Sequence, residues 1–296
     1  MIRLAITGDF QGATEYAAVA PRLQNASFVA SGDSDHDAVL IHSTIESRAA
    51  LALEAANAGK HVLVEGPFAR NAGEADRVIE ACHRRGVRLM VGQSLRFLPG
   101  IEAIGASLSS GKLGDPGFLR IHRWEPAGLA KKGETLLDRV VREIDVANWI
   151  FGSLPTEIYA LSRQPTTDTA TLGYLQLHFG FQGGGMALID YSTALPQGRD
   201  YFSLSVIGSE GAAYMDDHRN THLVYRGGEP TALISGQDTT SLLRSIQEFV
   251  DAIAEERQPT SSGADGRAAL QVAEAVNQSI VVGTSAHLNG GAYELS

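Results

Sequence analysis

The sequence predicts two domains of different class, a parallel α/β domain followed by an α+β domain with an open, mostly antiparallel sheet. In the first hundred residues, continuously apolar runs alternate with helical segments, as in strands that are covered on both faces. Farther along, several strand-like segments follow one another, which is typical of an antiparallel sheet. We place the domain boundary between residues 97 and 98, since 296 residues suffice for two ordinary domains.

The first domain, residues 1–97, is predicted to alternate strands and helices. Strands are expected at 2–8, 27–31, 38–43, 61–65 and 87–92, and helices at 13–24, 46–60 and 71–86. Pro21 is expected to kink or end the first helix because its ring cannot continue the hydrogen-bond ladder. Asn71 is the expected N-cap of the last helix and Gly86 its end.

The second domain, residues 98–296, is predicted to contain a sheet between helices. Helices are expected at 98–112, 136–152, 240–256 and 264–281, and strands at 117–126, 157–163, 170–181, 184–194 and 200–211. The Gln-Gly-Gly-Gly stretch at 182–185 is expected to form the turn of a hairpin. The last two helices are candidates to pack back on the first domain.

Composition excludes several classes of protein. A net charge of −10 argues against nucleic acid as a general partner, and no stretch approaches the 18 apolar residues of a membrane span. The start, MIRLAITGDF, lacks the apolar region and cleavage site of a secretory signal. The single cysteine, Cys82, excludes an intrachain disulfide framework and fits a reducing cytoplasm, which is the expected location.

Five segments occur in an order that is more specific than any one of them. They are AGKHVLVEGP, GVRLMVGQSLRFLPG, SGKLGDPGFLRIHRW, LLDRVVREIDVANWIFG and VIGSEGAAYMDD. With them the chain resembles the glucose–fructose oxidoreductase / inositol dehydrogenase (Gfo/Idh/MocA) family over nearly its whole length. The resemblance implies a Rossmann-like domain that holds NAD or NADP, and a second domain whose open sheet often forms the oligomer interface. It also implies hydride transfer to or from a sugar or polyol carbon.

The phosphate loop departs from the pattern that this resemblance implies. The fingerprint G-x-G-x-x-G lets the backbone approach a pyrophosphate at a helix N-terminus. Here the loop reads GDFQGA, so Gly8 matches the first glycine, Phe10 replaces the second and Ala13 fills the third. The phenylalanine ring is expected where the pyrophosphate should pass. The sequence therefore leaves nucleotide binding in question.

Asp33 stands where the family has the acidic residue that binds the ribose hydroxyls. Only residues 33–37 separate two strand segments here, although parallel strands need a crossover of about a dozen residues. Five residues span at most about 17 Å. Either the strand at 27–32 is not parallel to its neighbours, or residues 33–37 run back as an extended edge. In both cases one βα unit is expected to be missing, which would make the Rossmann-like sheet truncated.

The loop after the strand at 38–43 also differs from the family. It reads HSTIESR, with Arg48 at the position of a family histidine. Ser43 can still donate a hydrogen bond, and His42 is a weak candidate for a catalytic role. If a nucleotide binds, the residues that the resemblance implies in its site are Gly8, Gly12, Asp33, Ser43 and Glu65.

The acid/base pair that the resemblance implies is absent. Gly66 occupies the position of the lysine in Glu-Lys-Pro, and Arg142 that of the histidine in G-x-H-x-x-D, while Asp145 is retained. An arginine cannot move a proton because it is always protonated, but it binds carboxylate or phosphate through two parallel hydrogen bonds. Arg142 and Asp145 are the candidates at the catalytic positions. Arg96, Arg142 and Trp124 are candidates for substrate contact. No metal site is predicted.

These losses favour a family member whose usual NAD(P) hydride chemistry is lost or altered. The leading hypothesis is a binding or partner subunit for a sugar-like, anionic ligand, in a homo-oligomer or paired with an intact family member through the C-terminal sheet. The alternatives are an active NAD(P)-dependent sugar or polyol oxidoreductase and a non-redox enzyme that acts on a sugar-like substrate.

Overall fold

The computed structural model of the protein describes residues 1–8, 13–29, 33–126, 134–163, 173–195, 200–216, 221–225, 231–234 and 239–296. The chain divides into two compact units. The first contains residues 1–97 and 237–270, and the second contains residues 98–236 and 271–296. No helix in the described ranges is long and apolar enough to cross a membrane.

The helices and strands follow the predicted alternation in the first unit. They are β1 (Ile2–Thr7), α1 (Ala13–Val19), β2 (Ala26–Phe28), β3 (Ala38–Ile41), α2 (Ile45–Asn57), β4 (His61–Glu65), α3 (Ala72–Arg85) and β5 (Leu89–Gly92). The chain continues with α4 (Pro99–Ser109), β6 (Pro116–Pro126), α5 (Leu136–Phe151), β7 (Glu157–Arg163), β8 (Tyr174–Gly180), β9 (Met186–Leu195), β10 (Tyr201–Gly208) and β11 (Ala212–Asp216). It ends with β12 (Thr221–Tyr225), β13 (Thr231–Ile234), α6 (Thr239–Ala254), α7 (Gly263–Val282), β14 (Ala286–Asn289) and β15 (Ala292–Leu295).

The first unit is built on a parallel sheet with the strand order β2-β1-β3-β4-β5, which confirms the predicted α/β class. Because β2 runs parallel to β1, the first of the two alternatives for this segment, a non-parallel strand at 27–32, is wrong. The described residues between β2 and β3 contain no helix, and the Asp37 amide donates to the Arg3 carbonyl oxygen at 2.9 Å. The missing βα unit is not confirmed and stays a prediction.

Local sequence signals define the helix ends in this unit. The Asn71 side chain accepts a hydrogen bond from the Glu74 amide at 2.8 Å, and Gly86 ends α3 in the left-handed region at φ 66°. Helix α6 adds Ile246, Phe249 and Val250, which all lie on one helical face, to the buried core. The other members of this core are Leu4, Val19, Ala38, Leu40, Leu63, Met90 and Phe97. Each fully buried side chain of the size of leucine contributes about 1.5–3 kcal/mol.

The second unit contains a ten-stranded sheet with the order β13-β12-β11-β10-β6-β9-β8-β7-β14-β15. Strands β6 and β9 pair in parallel, and the other pairings in the described ranges are antiparallel, which confirms the mostly antiparallel class. The hairpin between β8 and β9 turns at Gly183 and Gly184, with φ near 90°, as the Gly-rich stretch predicted. Strands β11 to β15 were not predicted.

Helix α5 packs against β6 and β9 in the second unit. Its N-terminus has a capping box, in which Thr135 accepts from the Asp138 amide at 3.1 Å and Asp138 accepts from the Thr135 amide at 2.7 Å. Gly152 ends the helix at φ 63°. Since α5 carries Arg142 and Asp145, its packing fixes where these side chains lie.

Candidate functional site

In the first unit, the loops after β1, β3 and β4 emerge at one edge of the sheet, because these strands are parallel. The loop after β3 begins with His42 and Ser43, and the loop after β4 contains Gly66 and Pro67. In an open parallel sheet, this edge is where ligands bind. Several of the residues predicted for a nucleotide site therefore do share one region.

Arg48 connects the two loops. Its side chain is 2% exposed, and each of its three nitrogens donates a hydrogen bond: Nε to the Ser43 carbonyl at 3.0 Å, Nη1 to the Pro67 carbonyl at 2.8 Å and Nη2 to Glu65 at 2.9 Å. A guanidinium group with all its nitrogens bound inside the protein has a structural role. Sequence reasoning noticed Arg48 as a substitution but did not give it this role.

His42 lies between the side chains of Glu65 and Tyr16. Its Nδ1 is 3.5 Å from the Glu65 carboxylate, and its ring meets the Tyr16 ring edge-on with 6.1 Å between centroids. Burial, together with the negative charges of Glu65 and Glu15, raises the pKa of Tyr16 to about 12. Tyr16 is therefore a neutral hydrogen-bonding group at physiological pH.

Gly8 is required by the local backbone. Its φ is 117°, and a Cβ atom there would lie 2.1 Å from the His42 carbonyl oxygen. Any other residue would push β1 away from the loop after β3. Gly12 and Phe10, the other predicted features of the phosphate loop, lie outside the described residues.

Asp33 is held by its own surroundings. One carboxylate oxygen accepts from Arg3 at 2.9 Å and the other from the Asp35 amide at 2.9 Å. Arg3 also contacts Asp35, and its amide donates to Asp37 at 2.8 Å. Both carboxylate oxygens of Asp33, the residue predicted to bind the ribose of a nucleotide, thus already accept hydrogen bonds from protein groups.

Gln93 packs beside Gly66, the position at which the resemblance predicts the family's lysine. A Cβ atom on Gly66 would lie 3.0 Å from Gln93 Oε1, so a lysine at this position would require Gln93 to shift. The Gln93 side chain is 1% exposed, and in the described part of the chain its amide nitrogen and oxygen both lack a hydrogen-bond partner. An unpaired buried amide in a native protein requires an explanation, such as a bound water molecule or ligand.

Arg96 lies elsewhere in the first unit. Its guanidinium donates to the Thr260 carbonyl at 3.0 Å and to Asp265 at 3.3 Å, and the residue is 6% exposed. These contacts fasten the start of α7 to the turn after β5. The predicted role of Arg96 in substrate contact stays a prediction.

The second unit contains a denser group of charges around Glu125, which is 4% exposed. Its carboxylate accepts from the Tyr191 hydroxyl at 2.6 Å, from Arg123 and Arg142 at 3.3 Å each, and from Arg139. We call Arg123, Arg139 and Arg142 the arginine cluster. Sequence reasoning singled out Arg142 alone of these three and did not identify Glu125.

Strand and helix periodicity bring these side chains together. Residues 123 and 125 point to the same face of β6 because side chains alternate along a strand, and Arg123 pairs with Tyr191 in the sheet register. Arg139 and Arg142 are three residues apart, so they lie on one side of α5. In the segment Arg123-Trp124-Glu125, the two charged residues lie on the same face of a strand because one residue separates them. This pattern could have identified the charged group from the sequence.

Trp124 points to the other face of β6. It is 39% exposed and packs against the His122 and Tyr201 rings, with centroid distances of 5.8 and 5.1 Å. The structure therefore does not bring Trp124 together with Arg142, as the substrate prediction had grouped them.

The members of the arginine cluster are not equally exposed. Arg139 is 6%, Arg123 15% and Arg142 27% exposed at the side chain. Both contacts of Arg142 are long, 3.3 Å to Glu125 and 3.4 Å from Nε to the Arg139 carbonyl oxygen. It is thus the member most able to bind a molecule from solvent.

The carboxyl groups of this region differ in their protonation. Burial raises the pKa of Glu125, but the Tyr191 hydrogen bond and the three arginines outweigh burial and hold the pKa below its ordinary value. Burial raises the pKa of Glu143 to about 7, against the opposing effect of Arg142 and Arg123. Asp145 is also fully buried on α5. Sequence reasoning did not identify Glu143.

The described residues fit a nucleotide in part. Gly8 provides the tight turn, and the unpaired Gln93 amide offers a donor and an acceptor near Ser43 and Glu65 at the same sheet edge. Asp33 fits less well because Arg3 already binds it. Within the described ranges, no group of three or more His, Cys, Asp or Glu side chains could hold a metal ion.

Comparison with known proteins covers both units. Residues 12–93 match the family described as an oxidoreductase family with an NAD-binding Rossmann fold, and residues 101–214 match the GFO/IDH/MocA C-terminal domain. The oxidoreductase YrbE of Bacillus subtilis is 29% identical over 85% of this chain and 78% of its own length. The myo-inositol 2-dehydrogenase of Thermotoga maritima is 27% identical over 84% and 78%.

Solved structures share the fold. An oxidoreductase from Agrobacterium radiobacter, determined in complex with NAD+, L-tartaric acid and magnesium, superimposes with a TM-score of 0.85. It is 18% identical, over 97% of this chain and 98% of that one. A myo-inositol dehydrogenase homologue from Sinorhizobium meliloti gives a TM-score of 0.84 at 20% identity, over 98% and 100%.

Proposed function

Because the chain belongs to the Gfo/Idh/MocA oxidoreductase family, we propose that it binds a small sugar-derived anion, of the class of sugar acids, through the arginine cluster. In this proposal the ligand is held without the family's lysine–histidine acid/base pair, whose positions carry Gly66 and Arg142. The observation that carries the proposal is the convergence of three arginines on a single buried glutamate, Glu125.

Charge supports an anionic ligand. Three guanidiniums share Glu125 as an acceptor, so they have more N–H donors than this carboxylate can satisfy. Asp200, which contacts Arg123 at 2.9 Å, is 43% exposed and is therefore well screened by water. A carboxylate ligand would supply the acceptors that the cluster lacks.

Each residue has a distinct part in this proposal. Arg142, the most exposed member, would meet the ligand carboxylate with two parallel hydrogen bonds. Glu125 holds the three arginines in place, and Tyr191 fixes Glu125 through its 2.6 Å hydrogen bond. The hydroxyl groups of the relatives' substrates, inositols and sugars, suggest a polyhydroxylated body for the ligand.

Calorimetric titration with a matched pair of sugars tests this proposal. D-glucuronate and D-glucose differ in the group at one carbon, so we expect the acid to bind at least about tenfold more tightly, because one charge-assisted contact contributes about 1.5–3 kcal/mol. Arg142→Ala should remove this preference. Arg120→Ala is the control, since Arg120 lies on the opposite face of β6 and is 47% exposed. Equal affinity for both sugars would contradict the proposal.

A second candidate is NAD(P)-dependent oxidation of a sugar or polyol. The observation that favours it is the turn at Gly8, where a side chain would collide with the His42 carbonyl, combined with the unpaired Gln93 amide at the same sheet edge. A bound nicotinamide would accept or donate the hydride. Saturable quenching or enhancement of NADH fluorescence, followed by turnover with myo-inositol or D-glucuronate, would establish this function in place of simple binding.

Pairing with an intact family member through the C-terminal sheet is part of the same proposal. Light scattering of the purified chain, alone and after co-expression with such a homologue, tests it. A mixed complex of constant stoichiometry supports a partner role, and a chain that is found only as a monomer or homo-oligomer contradicts that role.

A further inference from the structure

We propose that the arginine cluster takes up its anion together with a proton, and that Glu143 is the group that holds this proton. The inference rests on the proposed anion site and specifies how that site is regulated. Glu143 acts through the charges around it, so it is a positioning residue and not a catalytic one.

The geometry of Glu143 is the first support. The residue is fully buried, and within the described residues neither of its carboxyl oxygens has a hydrogen-bond partner. An ionised carboxylate without hydrogen bonds is costly to bury, whereas the neutral acid costs much less. The site therefore favours the protonated form, and this agrees with the raised pKa of about 7.

The surroundings of Glu143 are the second support. From its own helix, Arg142 acts on it, and from β6 it meets Arg123 and Glu125. From β9, which also packs on α5, Tyr191 interacts electrostatically with Glu143. Glu134, just before α5, acts on Arg142. Glu143 thus belongs to the same electrostatic group as the arginine cluster.

The direction of the coupling follows from charge. When Glu143 is ionised, its negative charge offsets part of the attraction that the arginines exert on an anion. When it is protonated, this offset disappears. An incoming anion in turn disfavours the ionised form and raises the pKa of Glu143 further, since like charges repel. Binding near neutral pH must therefore consume protons.

Calorimetry of D-glucuronate binding at pH 6 and pH 8 tests the coupling. If the protonated form alone binds, the dissociation constant rises by about tenfold between these pH values when the pKa is near 7. Titrations in two buffers with different ionisation enthalpies count the protons taken up, and they need no variant. Glu143→Gln, which stays neutral, should bind equally at both pH values without proton uptake.

The outcomes separate the two proposals. Burial and the neighbouring Arg120 lower the pKa of His122, which lies on the opposite face of β6, so His122→Gln should keep the pH dependence. Binding that is independent of pH, or pH dependence that persists in Glu143→Gln, overturns this inference and leaves the anion site intact. No binding of D-glucuronate at pH 6 or pH 8 overturns both.

Discussion

Two regions of the molecule use arginine in opposite ways. In the first unit, Arg48 is 2% exposed, and its three nitrogens find three protein acceptors, two carbonyl oxygens and Glu65. In the second unit, three arginines converge on Glu125, and Arg142 keeps more than a quarter of its side chain exposed. In the first region each guanidinium nitrogen has its own acceptor, whereas in the second region three guanidiniums share one carboxylate.

This difference distinguishes a structural arginine from the one that we propose binds the ligand. Arg48 and Arg142 both stand at positions of family histidines, so the substitution alone does not distinguish them. Their surroundings do, because Arg48 is 2% exposed with a separate acceptor for each nitrogen, whereas Arg142 is 27% exposed and shares its carboxylate acceptor. In the proposed function, Arg48 therefore has a structural role and Arg142 a role in binding the anion.

The largest effect is expected from Glu125→Gln, which removes the charge that all three arginines share. Breaking a buried ion pair on one side leaves uncompensated charge, and we expect a loss of about 3–5 kcal/mol in the free energy of unfolding. Urea denaturation measures it. Glu157→Gln, at an exposed position of β7, serves as the control, and a loss below 1 kcal/mol for Glu125→Gln would show that the cluster does not depend on this charge.

The free energy of unfolding is expected to depend on pH through Glu143, a second buried group of the charged region around Glu125. Its pKa is about 7 in the folded protein and near 4.5 when unfolded, so the folded state binds the proton more tightly. Stability from this group is fully present below pH 4.5 and is lost as the pH rises through 7, by about 3 kcal/mol in total.

Urea denaturation between pH 4 and pH 8 checks this prediction as a difference between the wild type and Glu143→Gln. The variant should lack the decline, while Glu210→Gln, exposed on a turn, should keep it. Parallel curves for the wild type and Glu143→Gln would show that Glu143 has an ordinary pKa.

Arg48→Lys tests the hydrogen bonds of Arg48 in the first unit. Lysine cannot present the planar fork, so at least one of the acceptors at Ser43, Glu65 and Pro67 loses its donor, and we expect a loss of about 2 kcal/mol in stability. Thermal or urea denaturation measures it. The matched control is Arg84→Lys on the surface of α3, where a change within about 0.5 kcal/mol is expected. An equal effect of both variants would refute the structural role of Arg48.

Tyr191→Phe should have the smallest effect of the four. It removes the 2.6 Å hydrogen bond to Glu125 but keeps the ring and all three arginines, so we expect a loss of about 1–2 kcal/mol. Tyr174→Phe, 52% exposed on the neighbouring strand β8, is the control and should be neutral. If Tyr191→Phe is also neutral, the arginines alone hold Glu125.

Much of the fold could be predicted from the sequence because local signals determine it. The apolar runs defined the parallel strands, Asn71 and Gly86 defined α3, and the glycines at 183 and 184 defined the hairpin. Strands β11 to β15 were missed, since short strands at the sheet ends have weak patterns. The direction of β2 was left open, because a short connection limits reach but does not fix strand direction.

The sequence by itself determined the alternation of strands and helices and the family resemblance, which predicts Gly66 and Arg142 at the positions of the family's lysine and histidine. It could not determine which charges meet. Glu125 and Arg142 are 17 residues apart and meet because α5 packs on β6, whereas Tyr191, 66 residues from Glu125, meets it because β9 pairs with β6. The protonation of Glu143 was likewise decided by tertiary structure, because burial and neighbouring charges, not residue type, set its pKa.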